Sequence, residues 1–298
     1  QKNFLPVKYG EVCLLENIRF YSAEEDNNLK FAKKLSENFD IYINDAFSAS
    51  HRSHASIQGI TNFLPSYAGL LFEKEIVALT SILKDSNRPT MAIIGGSKVS
   101  TKISVLKNLV NKLDYLIVGG GMANTFLAAK GINLGSSFIE KNFFKEIFEI
   151  EKNSIKSGCT IVLPTDAITA NDLQKPNKIY NCSINNINSN QKVFDIGINS
   201  CKKITDIFSR VKTVLCNGPL GAFEYKPFDS STIIVYKSLA SSVKKYNLNV
   251  IIGGGDTVAS IKHLNIIDNF KYVSTSGGAF LEWLEGKELP GVRALERN

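Results

Sequence analysis

Short apolar runs that break into glycine recur along the chain and organise its reading. Met91-Ala92-Ile93-Ile94 opens into Gly95-Gly96, and Tyr115-Leu116-Ile117-Val118 opens into Gly119-Gly120-Gly121. Val214-Leu215-Cys216-Asn217 opens into Gly218, and Val250-Ile251-Ile252 into Gly253-Gly254-Gly255. Apolar runs of this length with no polar alternation predict strands buried on both faces, as in a parallel sheet. Between and beyond them the spacing predicts helices at 99–111, 122–130, 140–157, 199–209, 231–243 and 256–263, and strands at 159–163, 193–196 and 271–274. The asparagine-rich stretch 171–190 reads as hairpin and loop. Such alternation predicts an α/β protein with Rossmann-like three-layer α/β/α parallel sheets, whose ligands meet the carboxyl ends of the strands. Four strand ends that finish in glycine predict one rim of one sheet.

The first part of the chain follows the same logic less regularly. Residues 11–15 predict a strand that ends just before Arg19, 23–39 a helix, 40–47 another strand, and 69–84 an amphipathic helix. The turn-rich Asp85-Ser86-Asn87-Arg88-Pro89 then predicts a domain boundary, which divides the chain into 1–84 and a larger lobe from 85. A length of 298 residues suits one large domain or, more comfortably, two.

Charge narrows the ligand class. The net charge of +7 favours acidic ligands, whether nucleic acid, a membrane surface or phosphorylated metabolites. No arginine-rich block or RNA-binding signature supports nucleic acid, and no run approaches the roughly 18–20 apolar residues of a membrane span. No signal peptide opens the chain. The five cysteines, Cys13, Cys159, Cys182, Cys201 and Cys216, are scattered and form no Cys-x-x-Cys pair. That usage predicts reduced thiols in a cytoplasmic protein and argues against a zinc site or a disulfide framework. The first residue is Gln1, so the chain reads as a processed product or as lacking an N-terminal piece.

The glycine loops are candidate phosphate cradles, because N–H groups freed at a helix start, with no Cβ in the way, bind anions. Two common nucleotide signatures fail. Asn124 and Val258 stand where a dinucleotide fingerprint needs its third glycine, and no Gly-Lys-Ser/Thr triplet exists. Lys98 and Lys102, four apart after two glycines, would share a helix face, either as solvated lysines or with an anion between them. Asp256 offers a hard oxygen for Mg²⁺ through water and equally a helix N-cap; Thr257 offers a hydroxyl to a phosphate oxygen. Arg19 is either a surface residue or a bidentate phosphate clamp. His51 and His54 lack a Cys or carboxylate at ligand spacing, so the loop around Arg52 reads as anion-binding. Asn217 to Glu224 is a rigid loop closing on a carboxylate suited to ribose hydroxyls, and Ser274 to Ala279 is a further strand-to-glycine turn.

Taken together, Leu14-Leu15-Glu16-Asn17-Ile18-Arg19-Phe20, the Asp45-Ala46-Phe47 to His51-Arg52 loop and Gly95-Gly96-Ser97-Lys98-Val99-Ser100-Thr101-Lys102 resemble the phosphoglycerate kinase family in order and spacing. So do Asn217–Glu224, Gly253–Thr257 and Ser274–Pro290, and the likeness runs from near residue 11 to the C-terminus. The resemblance implies a two-lobed, cytoplasmic, monomeric glycolytic enzyme without nucleic-acid or membrane partners. It implies reversible phosphoryl transfer between 1,3-bisphosphoglycerate and MgADP, giving 3-phosphoglycerate and MgATP, with the lobes closing by a hinge. By the same resemblance Arg19 and Arg52 grip phosphoglycerate, Lys102 holds nucleotide phosphates, Lys98 neutralises the migrating group, and Gly277 and Gly278 offer N–H groups to it. Gly96, Gly120, Gly121, Asn217 and Pro219 line the nucleotide site, Glu224 binds ribose, and Gly254-Gly255-Asp256-Thr257 carries Mg²⁺ and the β-phosphate region. Residues 1–84 would form a partial phosphoglycerate lobe ending in the interlobe helix, 85–275 the nucleotide lobe, and 276–298 a segment returning to the first lobe.

Departures from the family pattern qualify this. Ser97 and Ser276 stand for alanine and glycine, and Val193 stands where the family has a glycine near the adenine, which restricts base packing. The family's opening strand with its Arg-x-Asp-Phe-Asn loop, and its His-x-x-Arg loop, are absent, so an N-terminally truncated chain is expected. Two alternatives follow: a nucleotide-binding, catalytically impaired remnant of the family, and a Rossmann-type oxidoreductase, against which the missing third glycines weigh.

Overall fold

The computed structural model describes residues 8–82 and 87–296. The chain forms two compact units, one built from residues up to Ile76 together with those from Lys287 onward, the other from Val77–Gly286.

In the first unit, helices α1 (Ser22–Glu25) and α2 (Leu29–Ser36) precede strand β1 (Tyr42–Asn44), and β2 (Ser66–Ala68) pairs with it in parallel, Tyr42 opposite Ser66. The single helix expected over 23–39 is broken. Asn27 takes a left-handed φ of 49°, and the Asn28 side chain accepts from the N–H groups of Lys30 and Phe31, so a new helix starts there. The strand expected at 11–15 does not form either: Val12, Leu14 and Leu15 are exposed, and no ladder joins them to another strand among the described residues. Asp45, just past β1, accepts from Leu71 N (2.7 Å) and Phe72 N (2.9 Å), capping α3 (Leu70–Ile82). The loop between β1 and β2 is tied to α1. Glu24, 1% exposed, accepts from Ser56 N at 2.8 Å, and its carbonyl accepts from Ala55 N at 2.9 Å. The last helix, Pro290–Leu295, lies against this loop, with Gly291 N donating to Ser50 O at 2.8 Å.

The second unit holds a six-stranded, all-parallel sheet. In chain order its elements are β3 (Thr90–Ile94), α4 (Ile103–Leu109), β4 (Tyr115–Val118), α5 (Gly120–Ala129), α6 (Phe144–Ser157) and β5 (Thr160–Val162). Three antiparallel strands follow, β6 (Asp166–Ala170), β7 (Ile179–Ser183) and β8 (Lys192–Ile196), in the order β7-β6-β8. The chain then returns through α7 (Ile198–Thr205), β9 (Thr213–Asn217), α8 (Ser230–Tyr246), β10 (Asn249–Ile252), α9 (Gly255–Ile261), β11 (Tyr272–Val273) and α10 (Gly277–Leu284). The parallel order is β11-β10-β9-β3-β4-β5. Every residue of β3 and β9 is buried, which explains runs with no polar alternation. Met91, Ile93, Val214, Cys216, Val250 and Ile252 share one core with Val235, Tyr236 and Leu239 of α8. Their spacing of two puts alternate residues on the other face.

Some boundaries differ from the sequence expectations. The expected helix 99–111 is a 3-10 turn at Val99–Thr101 followed by α4, because Lys102, at φ −133° and ψ 10°, leaves the helical region between them. Residues 171–190 do contribute a strand, β7, but its partner β6 was not foreseen. The expected domain boundary at 84–85 falls outside the described residues, whereas the compact units divide within α3. The return to the first unit begins at Lys287, not 276, because α10 packs on α4, with Asn108 Nδ2 donating to Leu284 O at 2.6 Å.

Candidate functional site

Because β10, β9, β3 and β4 are adjacent and parallel, their carboxyl ends, each followed by glycine, form one continuous rim. The rim is stitched by hydrogen bonds between strand ends. Gly95 N donates to Asn217 O (3.0 Å), Gly119 N to Ile94 O (2.9 Å), Gly120 N to Leu220 O (2.9 Å), and Gly253 N to Cys216 O (2.8 Å). The approach is so close that only glycine fits. A Cβ on Gly95 would land on Pro219 O, and one on Gly218 would land on Gly95 O.

Lys102 reaches back into this rim. Its Nζ donates to Gly95 O at 2.6 Å and to Asn217 O at 2.9 Å, joining the ends of β3 and β9. Burial pushes its ammonium pKa down to about 8, partly opposed by the Asp256 carboxylate. Lys98 points elsewhere: it is exposed and lies 5.9 Å from the centre of the Phe138 ring. The two lysines therefore do not share a helix face as the spacing suggested, since the backbone between them is not α-helical.

Asn217 is buried, and its Nδ2 donates to Gly253 O at 3.1 Å. Its Oδ1, also buried, has no partner among the described residues. Thr257 is fully buried, and its hydroxyl donates to Gly253 O (2.7 Å) and accepts from Gly218 N (2.6 Å). That hydroxyl is a stitch within the rim, where the sequence suggested an outward phosphate ligand. Gly254 caps α9 with a φ of 92°, a conformation side chains resist, so the first turn, Gly255 and exposed Asp256, opens at the end of β10. Helices α5 and α10 also start just past strand ends, at Gly120-Gly121 and Gly277-Gly278, which gives the rim three helix N-termini with a positive dipole end. Gly96 lies in the turn just past β3, with its carbonyl accepting from Met122 N at 3.1 Å.

Pro219 is buried and Glu224 exposed on the loop between β9 and α8. Beneath this loop a narrow recess of about 10 Å³, room for about one water, is lined by Gly120, Leu127, Val193, Phe194 and Leu220. In the first unit Arg19 lies in the 3-10 turn Ile18–Phe20, and Arg52 in the loop after β1; both are exposed. Arg52 Nε donates to His51 Nε2 at 3.4 Å. Asp195, Ser231 and Glu24, which fasten these loops, carried no sequence signal, because their partners lie more than thirty residues away.

For Mg²⁺, the rim offers one exposed carboxylate, Asp256. No group of three or more His, Cys, Asp or Glu lies together among the described residues. An exposed carboxylate at a helix start would suit a hard cation that keeps water and phosphate oxygens as its other ligands, the usual habit of Mg²⁺.

A parallel sheet whose carboxyl rim gathers glycine turns, three helix starts and a half-buried lysine defines an α/β protein built to handle phosphate. A family model described as phosphoglycerate kinase matches residues 1–287. The phosphoglycerate kinase of Novosphingobium aromaticivorans is 46% identical over 288 residues, covering 96% of this chain and 73% of that protein. The Agrobacterium fabrum protein is 48% identical over 286 residues, covering 96% and 72%. Among solved structures, the phosphoglycerate kinase of Coxiella burnetii aligns with a TM-score of 0.89 at 39% identity, covering 94% of this chain and 72% of that one. The chain belongs to the phosphoglycerate kinase family. It is a phosphotransferase of glycolysis, with ADP/ATP and phosphoglycerate as substrates. No helix among the described residues is long and apolar enough to cross a membrane.

Proposed function

We propose that the second unit is the nucleotide half of this reaction and the first unit the phosphoglycerate half. The observation that carries the reading is Lys102, an ammonium with a lowered pKa fastened across the glycine rim. At neutral pH it is mostly charged, in a place where charge is poorly screened, so it attracts nucleotide phosphates strongly. Gly96, Gly120, Gly121, Gly254 and Gly255 let the phosphates approach backbone N–H groups, and Thr257 holds their turn in shape. Asn217 and Pro219 line the nucleotide site, and Glu224 accepts from ribose hydroxyls. Lys98 and the N–H groups of Gly277 and Gly278 neutralise the migrating phosphoryl, which needs positioning and charge compensation more than covalent chemistry. Arg19 and Arg52 hold phosphoglycerate by its charge. Asp256 would hold Mg²⁺, which when bound shields the charge of the polyphosphate. The protein acts as a cytoplasmic monomer.

The direct test is MgADP calorimetry on Lys102→Ala at pH 7. Removing the charge-assisted contact is expected to weaken binding by about 1.5–3 kcal/mol, roughly 10- to 150-fold. Unchanged affinity would sink the assignment.

A further inference from the structure

We propose that Asp195 is a positioning residue for the nucleotide half of the reaction: it pins the loop 218–229 to β8 and so sets where Pro219 and Glu224 stand. The inference rests on the assignment of that loop to nucleotide binding. The loop leaves β9 and returns as α8, and β8 supplies its anchors. Phe194 O accepts from Ala222 N at 2.8 Å, and the Phe194 ring lies against Phe228, centroids 5.0 Å apart. Asp195, the next residue, closes the far end. One carboxylate oxygen accepts from Ser231 N at 3.0 Å; the other accepts from Ile196 N at 2.9 Å and from the Ser231 hydroxyl. Its side chain also lies directly under Gly221, where an added Cβ would collide with Asp195 Oδ1 and Phe228 O.

Asp195 therefore hydrogen-bonds to the strand that walls the recess and to the first turn of α8, and packs closely against the turn after Pro219. It is 1% exposed, and burial pushes its carboxyl up to about 7 against the pull of three hydrogen bonds, with Asp229 adding to the rise. An apolar side chain would fill this space without that penalty, but it could not accept from β8 and α8 at once. An amide could not accept from all three donors, because its NH₂ would face either Ile196 N–H or Ser231 N–H.

The test compares Asp195→Asn, Ser231→Ala and Glu224→Ala in the full chain, using calorimetry with ADP and separately with 3-phosphoglycerate, beside a thermal melt. Loosening a positioned loop is expected to raise the ADP Kd of Asp195→Asn about tenfold, with 3-phosphoglycerate affinity unchanged, since small misplacements of binding groups are costly. Ser231→Ala keeps the backbone bond to Asp195 and is expected to show a smaller rise; adding it to Asp195→Asn should cost less than the sum of the two. A lower melting temperature with unchanged ADP affinity in Asp195→Asn would overturn the proposal, leaving a structural role alone. If Asp195→Asn does not fold, unchanged ADP affinity in Ser231→Ala overturns it. Glu224→Ala separates the two levels. Unchanged ADP affinity there means that the loop assignment fails, whereas a rise there without one in Asp195→Asn means that only the role of Asp195 fails.

Discussion

Raising the pH from 7 to 9 is expected to weaken ADP binding about tenfold through Lys102 alone. Its Nζ is held between Gly95 O and Asn217 O, and burial lowers its pKa to about 8. With that pKa, about nine in ten molecules carry the charge at pH 7 and about one in eleven at pH 9. If phosphate binds the charged form, affinity falls by their ratio, about tenfold or 1.4 kcal/mol. Folding moves in the opposite direction. The folded pKa lies below the ordinary lysine value of 10.5, so the unfolded chain binds more protons between about pH 8 and 10.5, and this group's contribution to stability rises with pH there. Loss of affinity from this source is thus not loss of fold. The assay is calorimetry at pH 7, 8 and 9 in two buffers of different ionisation enthalpy, where proton uptake on binding should appear above pH 8. Lys102→Gln should bind more weakly and show no fall in affinity from pH 8 to 9. A wild-type affinity that does not fall from pH 8 to 9, or a fall that survives in Lys102→Gln, would refute the reasoning.

Two further substitutions test the rim itself. Gly95→Ala puts a methyl group onto the Pro219 carbonyl, and because both partners are backbone the strand ends must part; a loss of about 1–3 kcal/mol in denaturant unfolding is expected. Parental stability in that variant would contradict the close approach of β3 and the loop after β9. Thr257→Val keeps the shape but leaves Gly218 N–H without its acceptor inside the rim, at a cost of about 1–3 kcal/mol. A shift of roughly 2–4 °C in melting temperature per kcal/mol follows for a unit of this size, and an unshifted melt would remove Thr257 from the network.

The parts of the fold that could be read from the chain are those coded by neighbours. Buried parallel strands announce themselves as apolar runs, and the glycines that end them announce close backbone approach, so β3, β4, β9 and β10 were all placed to within a residue or two. The run at 11–15 is also largely apolar but has no partner ladder among the described residues, and apolar composition alone does not make a strand. The helix expected over 23–39 failed at Asn27 and Asn28, where a left-handed residue and an N-cap outweighed the apolar spacing. Strand β6 was missed because its pairing with β7 and β8 is a matter of register between segments.

By itself the sequence determined the class of fold, the phosphate-suited glycine turns and the family, since each depends on residue type at short spacing. Tertiary structure alone decided what the side chains do. Lys102 meets a carbonyl 115 positions away, Thr257 accepts from Gly218 thirty-nine positions away, and Asp195 holds Ser231 thirty-six away. The physical reason is the order of the strands. Placing β9 between β3 and β10 brings distant strand ends within hydrogen-bond reach, and no local pattern in the chain carries that order.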